Sequence, residues 1–235
     1  MKLSIFKSTI KDGVFSTNKK YFPNLKHEEI NLLHEVTLNR FLNKYSLSDK
    51  VLIIDDKCND KSKIITNKTI INKSKILILK DTIKDTIVGV ETEDDPVVVV
   101  SATDDKGHQV AAISLLTLDN IKNNLLTEIV DKMITVTNKA PFEMTFYIGA
   151  CPSQKYYEVS KSDKENPLFK GAIITKKKKY YLDLRLVIFN ILQSEIVDPN
   201  MMYFDSTDTV ESNDYYSKYN IHGKNIVCIK FIDEK

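Results

Sequence analysis

The sequence predicts one α/β domain, and three observations carry that prediction. Short β-branched runs alternate with stretches in which apolar residues recur every three or four positions, so strands and helices mix along the chain. No repeat period appears, and no Gly/Pro/Ser-rich linker marks a boundary. At 235 residues and 42% hydrophobic content, the chain can bury a sizeable core within a single unit.

The elements follow in order. Residues 3 to 16 read as a strand, a KDG turn and the start of a second strand around 14–17. Beyond His27, the spacing of Ile30, Leu33, Leu38, Phe41, Leu42 and Tyr45 predicts a helix, and VLIID at 51–55 a buried strand. The polar stretch DDKCNDKSKIITNKTIINKSKILIL has strand character only in IIT, KTII and KILIL. DTIVGVE and PVVVVSAT flank an EDD turn, and HQVAAIS follows a DDKG turn. These runs predict a compact group of strands with a hairpin between the second and third. Leu118, Ile121, Leu125, Leu126, Ile129, Val130 and Met133 form one stripe of a long helix, which Thr117 or Asp119 can cap. MTFYIGA reads as a strand, CPSQKYYEVSKSDKENP as a loop and GAIIT as a strand. KKKKYY leads into a helix over Leu184, Ile188, Ile191, Leu192 and Ile196, and MMYFD and NIVCIKFI are the last strands.

Bulk charge excludes some function classes. Lys and Arg total 34 against 32 Asp and Glu, a net +2, which is too balanced to mark a nucleic-acid or membrane surface. MKLSIFKSTIKDG lacks a signal pattern and no apolar run is long enough to span a bilayer, so the expected location is the cytoplasm. Cys58, Cys151 and Cys228 are odd in number and lack CxxC spacing, as suits reduced thiols. The excess of Lys, Asn and Ile points to an AT-rich genome.

Candidate chemistry is sparse. His108 falls in the DDKGHQ turn, and His27, His34 and His222 share no metal-helix spacing, so a histidine zinc site is not expected. Cys151 follows a strand and Gly149-Ala150. There it is either a nucleophile, if a base lowers its pKa, or a quiet thiol beside a turn. Glu93, Asp94 and Asp95 are either a general base or cation site, or a solvated connection. Lys176 to Lys179 could touch phosphate, though such a run in a lysine-rich chain ordinarily forms a solvated face. There is no GxGxxG, Walker loop or GxSxG, and the chain has only six glycines.

Several stretches, taken in order, resemble the laccase-domain (polyphenol-oxidase-like) family. Its bacterial members are described as purine nucleoside phosphorylases with adenosine deaminase activity, or as peptidoglycan-editing factors. GVFSTNKKYF, TLNRFL, EDDPVVVVSATD, VAAIS with LLTLDN, YIGACPSQKYYEV, YYLDLRLVIFNIL and NDYYSKYN carry the resemblance, which covers nearly the whole chain. It implies a single-domain four-layer αββα sandwich with mixed sheets. It also implies a zinc held by two histidines and a cysteine, on positions occupied here by Cys58, Asp94 and Ser114. None of those ligands is kept. The motif arginine falls on Leu118, the cysteine-threonine pair on Ser206 and Thr207, and the paired arginines on Tyr219 and Asn220.

Gly149, Tyr157-Glu158-Val159 and Leu182-Asp183-Leu184 survive as scaffold. The expectation is a divergent member with altered or lost catalysis and no cofactor, acting as a binding or assembly module. The alternative is an enzyme on a purine nucleoside or peptidoglycan nucleotide precursor. It would use Asp94 as base or metal ligand, a Cys58 or Cys151 thiolate, and Ser114, in a pocket reaching Gly149, Leu118, Ser206 and Tyr219. A pocket closed by Leu115, Leu116 and Leu118 would favour the first reading. The oligomeric state is left open.

Overall fold

The central β-branched runs form strands covered on both faces, which is why they read as continuous rather than alternating apolar sequence. The computed structural model describes residues 1–7, 41–43, 51–53, 62–65, 74–83, 86–219 and 224–232. The expected strand at 14–17, most of the helix beyond His27, the 68–71 run, Cys58, His27, His34, His222 and Asn220 lie outside the described residues.

Two mixed sheets form the centre. The larger has the order β12-β8-β6-β7-β4-β3, from β3 (Ser62–Ile64), β4 (Ile76–Lys80), β6 (Val97–Thr103), β7 (Gln109–Leu115), β8 (Thr145–Ile148) and β12 (Met202–Phe204). The smaller has the order β1-β13-β5-β2, from β1 (Lys2–Lys7), β2 (Val51–Ile53), β5 (Ile87–Thr92) and β13 (Asn225–Ile232).

Successive residues point to opposite faces, and the core divides accordingly. Leu77, Leu79, Val97, Val99, Ala111 and Ile113 of the larger sheet meet Val88, Val90, Val227, Ile229 and Phe231 of the smaller. Ile76, Ile78, Val98, Val100, Val110 and Ala112 face the other way, against Leu126, Ile129, Val130, Val187, Ile188 and Leu192 of the outer helices. On the far face of the smaller sheet, Ile87, Ile226 and Cys228 meet Phe41 and Leu42, within the helical residues 41–43. These layers make the αββα sandwich. Gly89 serves that far face, because a Cβ there would lie 2.7 Å from Cys228 Sγ.

Several elements differ from the sequence reading. The EDD turn does not join neighbours in one sheet: β5 belongs to the smaller sheet and β6 to the larger, so the turn crosses between layers. The long helix is broken into α1 (Leu118–Lys122) and α2 (Leu125–Thr137), because Asn124 adopts a left-handed conformation at φ 60°. Asn is one of the few side chains that tolerates this region, and the break makes Asn124 the cap residue of α2. The loop after β8 contains β9 (Glu158–Val159) and α3 (Lys161–Lys164). KKKKYY is a hairpin of β10 (Ile173–Lys176) with β11 (Lys179–Leu182), turned by Lys177 and Lys178 at φ 49° and 65°. With β9 it forms a third sheet, ordered β10-β11-β9.

The helix α4 (Leu184–Ser194) starts on Asp183, whose carboxylate accepts from the Leu186 N–H at 3.0 Å. It stops before Ile196, which is not on the buried stripe but 73% exposed. Among the described residues, no helix is long and apolar enough to cross a membrane.

Candidate functional site

Strand ends converge at one edge of the sandwich. Val97 at the start of β6 pairs with Leu115 at the end of β7, and Val98 pairs with Ile148 at the end of β8. The Asp205 N–H, just past β12, donates to Ile148 O at 2.8 Å, and Thr92 at the end of β5 pairs with Asn225. Asp94, Ser114, Leu118, Gly149, Cys151 and Ser206 therefore gather at the same edge. The topology brings them together, but their contacts go to other partners.

Asp94 is 3% exposed, and both its oxygens are used. Oδ1 accepts from Thr209 Oγ1 at 2.8 Å and Oδ2 from the Lys218 backbone N–H at 2.9 Å. Burial pushes its pKa up from the ordinary aspartate value, against hydrogen bonds from Ser217, Thr209 and Lys218. Ser114 is fully buried, and its hydroxyl donates to Lys75 O at 2.6 Å. Cys151 is also fully buried, and burial pushes its thiol up to about 12, so it is a neutral thiol at pH 7. The thiolate that nucleophilic attack needs is absent at that pH.

The remaining family positions are scaffold or surface. Leu118 opens α1 and packs on the helix-side core, beside the fully buried Leu116. The Gly149 N–H donates to Val97 O at 2.8 Å, and a Cβ there would sit 3.3 Å from that strand's backbone. Ser206 is exposed. Tyr219 is 40% exposed, with Lys218 Nζ 5.1 Å from its ring centroid. Beside Thr209, Gly149 and Asn225 lies an enclosed space of only about 10 Å³, roughly room for one water.

The described donor set does not fit a zinc or copper ion. Asp94 has its lone pairs directed at Thr209 and Lys218, and the Ser114 hydroxyl is spent as a donor on a carbonyl. Among the described residues, no group of three or more His, Cys, Asp or Glu side chains is arranged to hold a metal.

Residues 105–231, just over half the chain, match the model of the multi-copper polyphenol oxidoreductase laccase family. The chain belongs to the laccase-domain family. Similar solved structures cover most of this laccase-domain protein. The hypothetical protein YfiH of Bacillus licheniformis aligns at 15% identity and TM-score 0.72, over 86% of this chain and 82% of that one. YlmD of Geobacillus stearothermophilus gives 13% identity and TM-score 0.72, over 84% and 79%. Protein NMB0706 of Neisseria meningitidis, assigned to family DUF152, gives 16% and 0.67 over 98% and 95%. No curated protein matches the chain. At these identities the likeness shows the fold alone.

Several residues that shape this edge were not read from the sequence. Thr209 and Ser217 serve Asp94. Tyr157, read from the sequence only as scaffold, donates its OH to Asp95 Oδ1 at 3.2 Å. Asn225 Nδ2 donates to Glu93 O at 3.1 Å and Tyr216 O at 2.9 Å, while Oδ1 accepts from the Tyr216 N–H. Arg185 holds three carbonyls: Nη2 donates to Cys151 O at 2.9 Å and Thr207 O at 2.6 Å, and Nε to Asp205 O at 3.3 Å. A signal for Arg185 was present, since Arg40 and Arg185 are the only arginines among 34 basic residues. A planar fork that a lysine cannot reproduce explains why one persists here.

Proposed function

We propose that this laccase-domain protein has exchanged the family's metal chemistry for a binding or assembly role, with catalysis altered or lost. The observation that carries the reading is the closed bonding of Asp94, whose two oxygens are taken by Thr209 and the Lys218 backbone. A ligand carboxylate would have to surrender those hydrogen bonds inside a buried site, at about 1–3 kcal/mol for each group left unpaired. The buried Leu116 and nearly buried Leu115 support the same reading, because apolar side chains at a strand end exclude water and phosphate. The role proposed needs no resident cofactor, nucleic acid or membrane. We place it in the cytoplasm, where Cys151 and Cys228, both free and buried, would stay reduced.

One observation favours the alternative of a remodelled enzyme on a purine nucleoside or peptidoglycan nucleotide precursor. Burial raises the Asp94 pKa, which is how a carboxyl becomes a proton donor near neutral pH. The two readings separate in one experiment. Protein purified without chelator or metal resin is analysed for zinc and copper per chain and assayed for adenosine phosphorolysis and deamination. The binding role predicts far less than one metal per chain and no turnover. Turnover abolished by Asp94→Asn, with or without metal, would establish the enzyme instead.

A further inference from the structure

Between α4 and β12, an edge strand among the described residues, lies a groove of about 510 Å³, within the size range of small-molecule sites. Phe189, Phe204 and Leu186 line its apolar side. The two phenylalanine rings are 6.4 Å apart and tilted by 53°, and Leu186 remains 38% exposed. Such a wall presents flat apolar surface that no element among the described residues covers.

Arg185 and Ser153 line the polar side. Three guanidinium N–H donors are fixed on the carbonyls of Cys151, Asp205 and Thr207, and the Nη1 donors have no partner among the described residues. A cation pinned in this way loses little freedom when it takes an anion. The Ser153 hydroxyl oxygen is shielded from bulk water and has no hydrogen-bond partner among the described residues, a costly state that a χ1 turn toward a ligand oxygen in the groove relieves. Of the other charged groups of the wall, Lys155 is paired and Asp183 caps α4 through one of its two oxygens. Lys155 Nζ lies 2.9 Å from Glu211 Oε1, and Asp183 Oδ1 accepts from the Leu186 N–H.

We propose that this groove binds a small organic anion, a carboxylate or phosphate carried on a flat apolar ring. The oxyanion sits on the free donors of Arg185 with the Ser153 hydroxyl, and the ring lies against Phe189 and Phe204. The site adjoins the Asp94 edge through Arg185, but it uses none of Asp94, Ser114 or Gly149 and does not depend on the fate of catalysis there.

The test is a titration of the ¹⁵N-labelled chain with phenyl phosphate, followed at the Arg185 Nε–H resonance. Benzoate, inorganic phosphate and phenol are run in parallel. Phenyl phosphate or benzoate is expected to give a saturable shift, and inorganic phosphate or phenol a much weaker one. Whichever of the two ring anions binds more tightly identifies the oxyanion. Because Arg185→Lys removes a three-carbonyl clamp and can unfold this edge, the variants are Ser153→Ala and Phe189→Leu, checked for native spectra. Each is expected to weaken binding about three- to tenfold. No shift at Arg185, equal binding of inorganic phosphate, or variants that bind like the parent would overturn the proposal.

Discussion

Asp94 and Asp205 bear on the same segment, residues 205–219, and titrate in opposite directions. Asp205 Oδ2 lies 2.6 Å from Lys7 Nζ and accepts from Tyr147 OH at 3.3 Å. Burial alone would raise its carboxyl, but Lys7 and Thr207 outweigh it and hold the pKa down at about 2. Its folded value is below the ordinary aspartate value of 3.8, so its contribution is present above that value and is lost as the pH falls through about 2. Asp94 is raised, so its ionised form costs stability at neutral pH, and that cost is relieved as acid protonates it. Asp205→Asn is therefore expected to lose about 1–2 kcal/mol at pH 7, after allowance for solvent screening, and almost nothing near pH 2. Urea midpoints at the two pH values measure this, and an equal loss at both would contradict the ion-pair account. Asp94→Asn is expected to steepen the acid limb of the stability curve, because it removes a group whose protonation offsets part of the acid loss. A limb as steep as that of the parent would show that Asp94 does not titrate as its burial implies.

At the level of elements, backbone conformation carries tension that the side-chain pattern hides. Ile196 follows α4 at φ 62°, a left-handed position at a helix end where glycine is favoured. Its N–H donates to Gln193 O at 3.0 Å, and the next N–H, of Val197, donates to Leu192 O at 3.1 Å, so the turn itself is well made. The branched side chain is the strained part, and it is largely exposed. Ile196→Gly should therefore stabilise the protein by about 0.5–1 kcal/mol, the left-handed strain less the added flexibility of the unfolded chain. A fall in the urea midpoint would mean that exposed Ile196 makes a contact worth more than the strain.

These elements also show what the sequence could convey. The runs around Val97, Val110, Leu126 and Leu184 were legible because a buried period is hard to disguise. The break at Asn124 and the hairpin at Lys177 and Lys178 were not, because both depend on positive φ in residues other than glycine. The candidate edge was legible only as substitutions at Asp94, Ser114 and Leu118. The partners of Asp94, Thr209 and Ser217, lie far along the chain and meet it only in three dimensions, as Arg185 meets Cys151 O.

At the scale of the whole molecule, two sheets share one apolar interface, and its contribution can be measured at a single position. Ile113 is fully buried between them, and Ile113→Ala should destabilise by about 2–4 kcal/mol through lost burial and the cavity left behind. A loss below about 1 kcal/mol in chemical denaturation would mean that the layers slide to close the gap. The smaller sheet has a further consequence. Among the described residues its strand β1 pairs with β13 alone, Lys2 opposite Ile232, across almost the full length of the chain. A ribosome delivers residues in order, so every described strand of the larger sheet, through Phe204, is made before β13 exists. The nascent protein therefore passes through a period with one layer complete and the other waiting, its inner apolar face open to wrong partners. Hydrogen exchange on ribosome-bound chains stalled after Phe204 and before β13 should show β7 amides protected and β1 amides still open, and protection of both would count against this order.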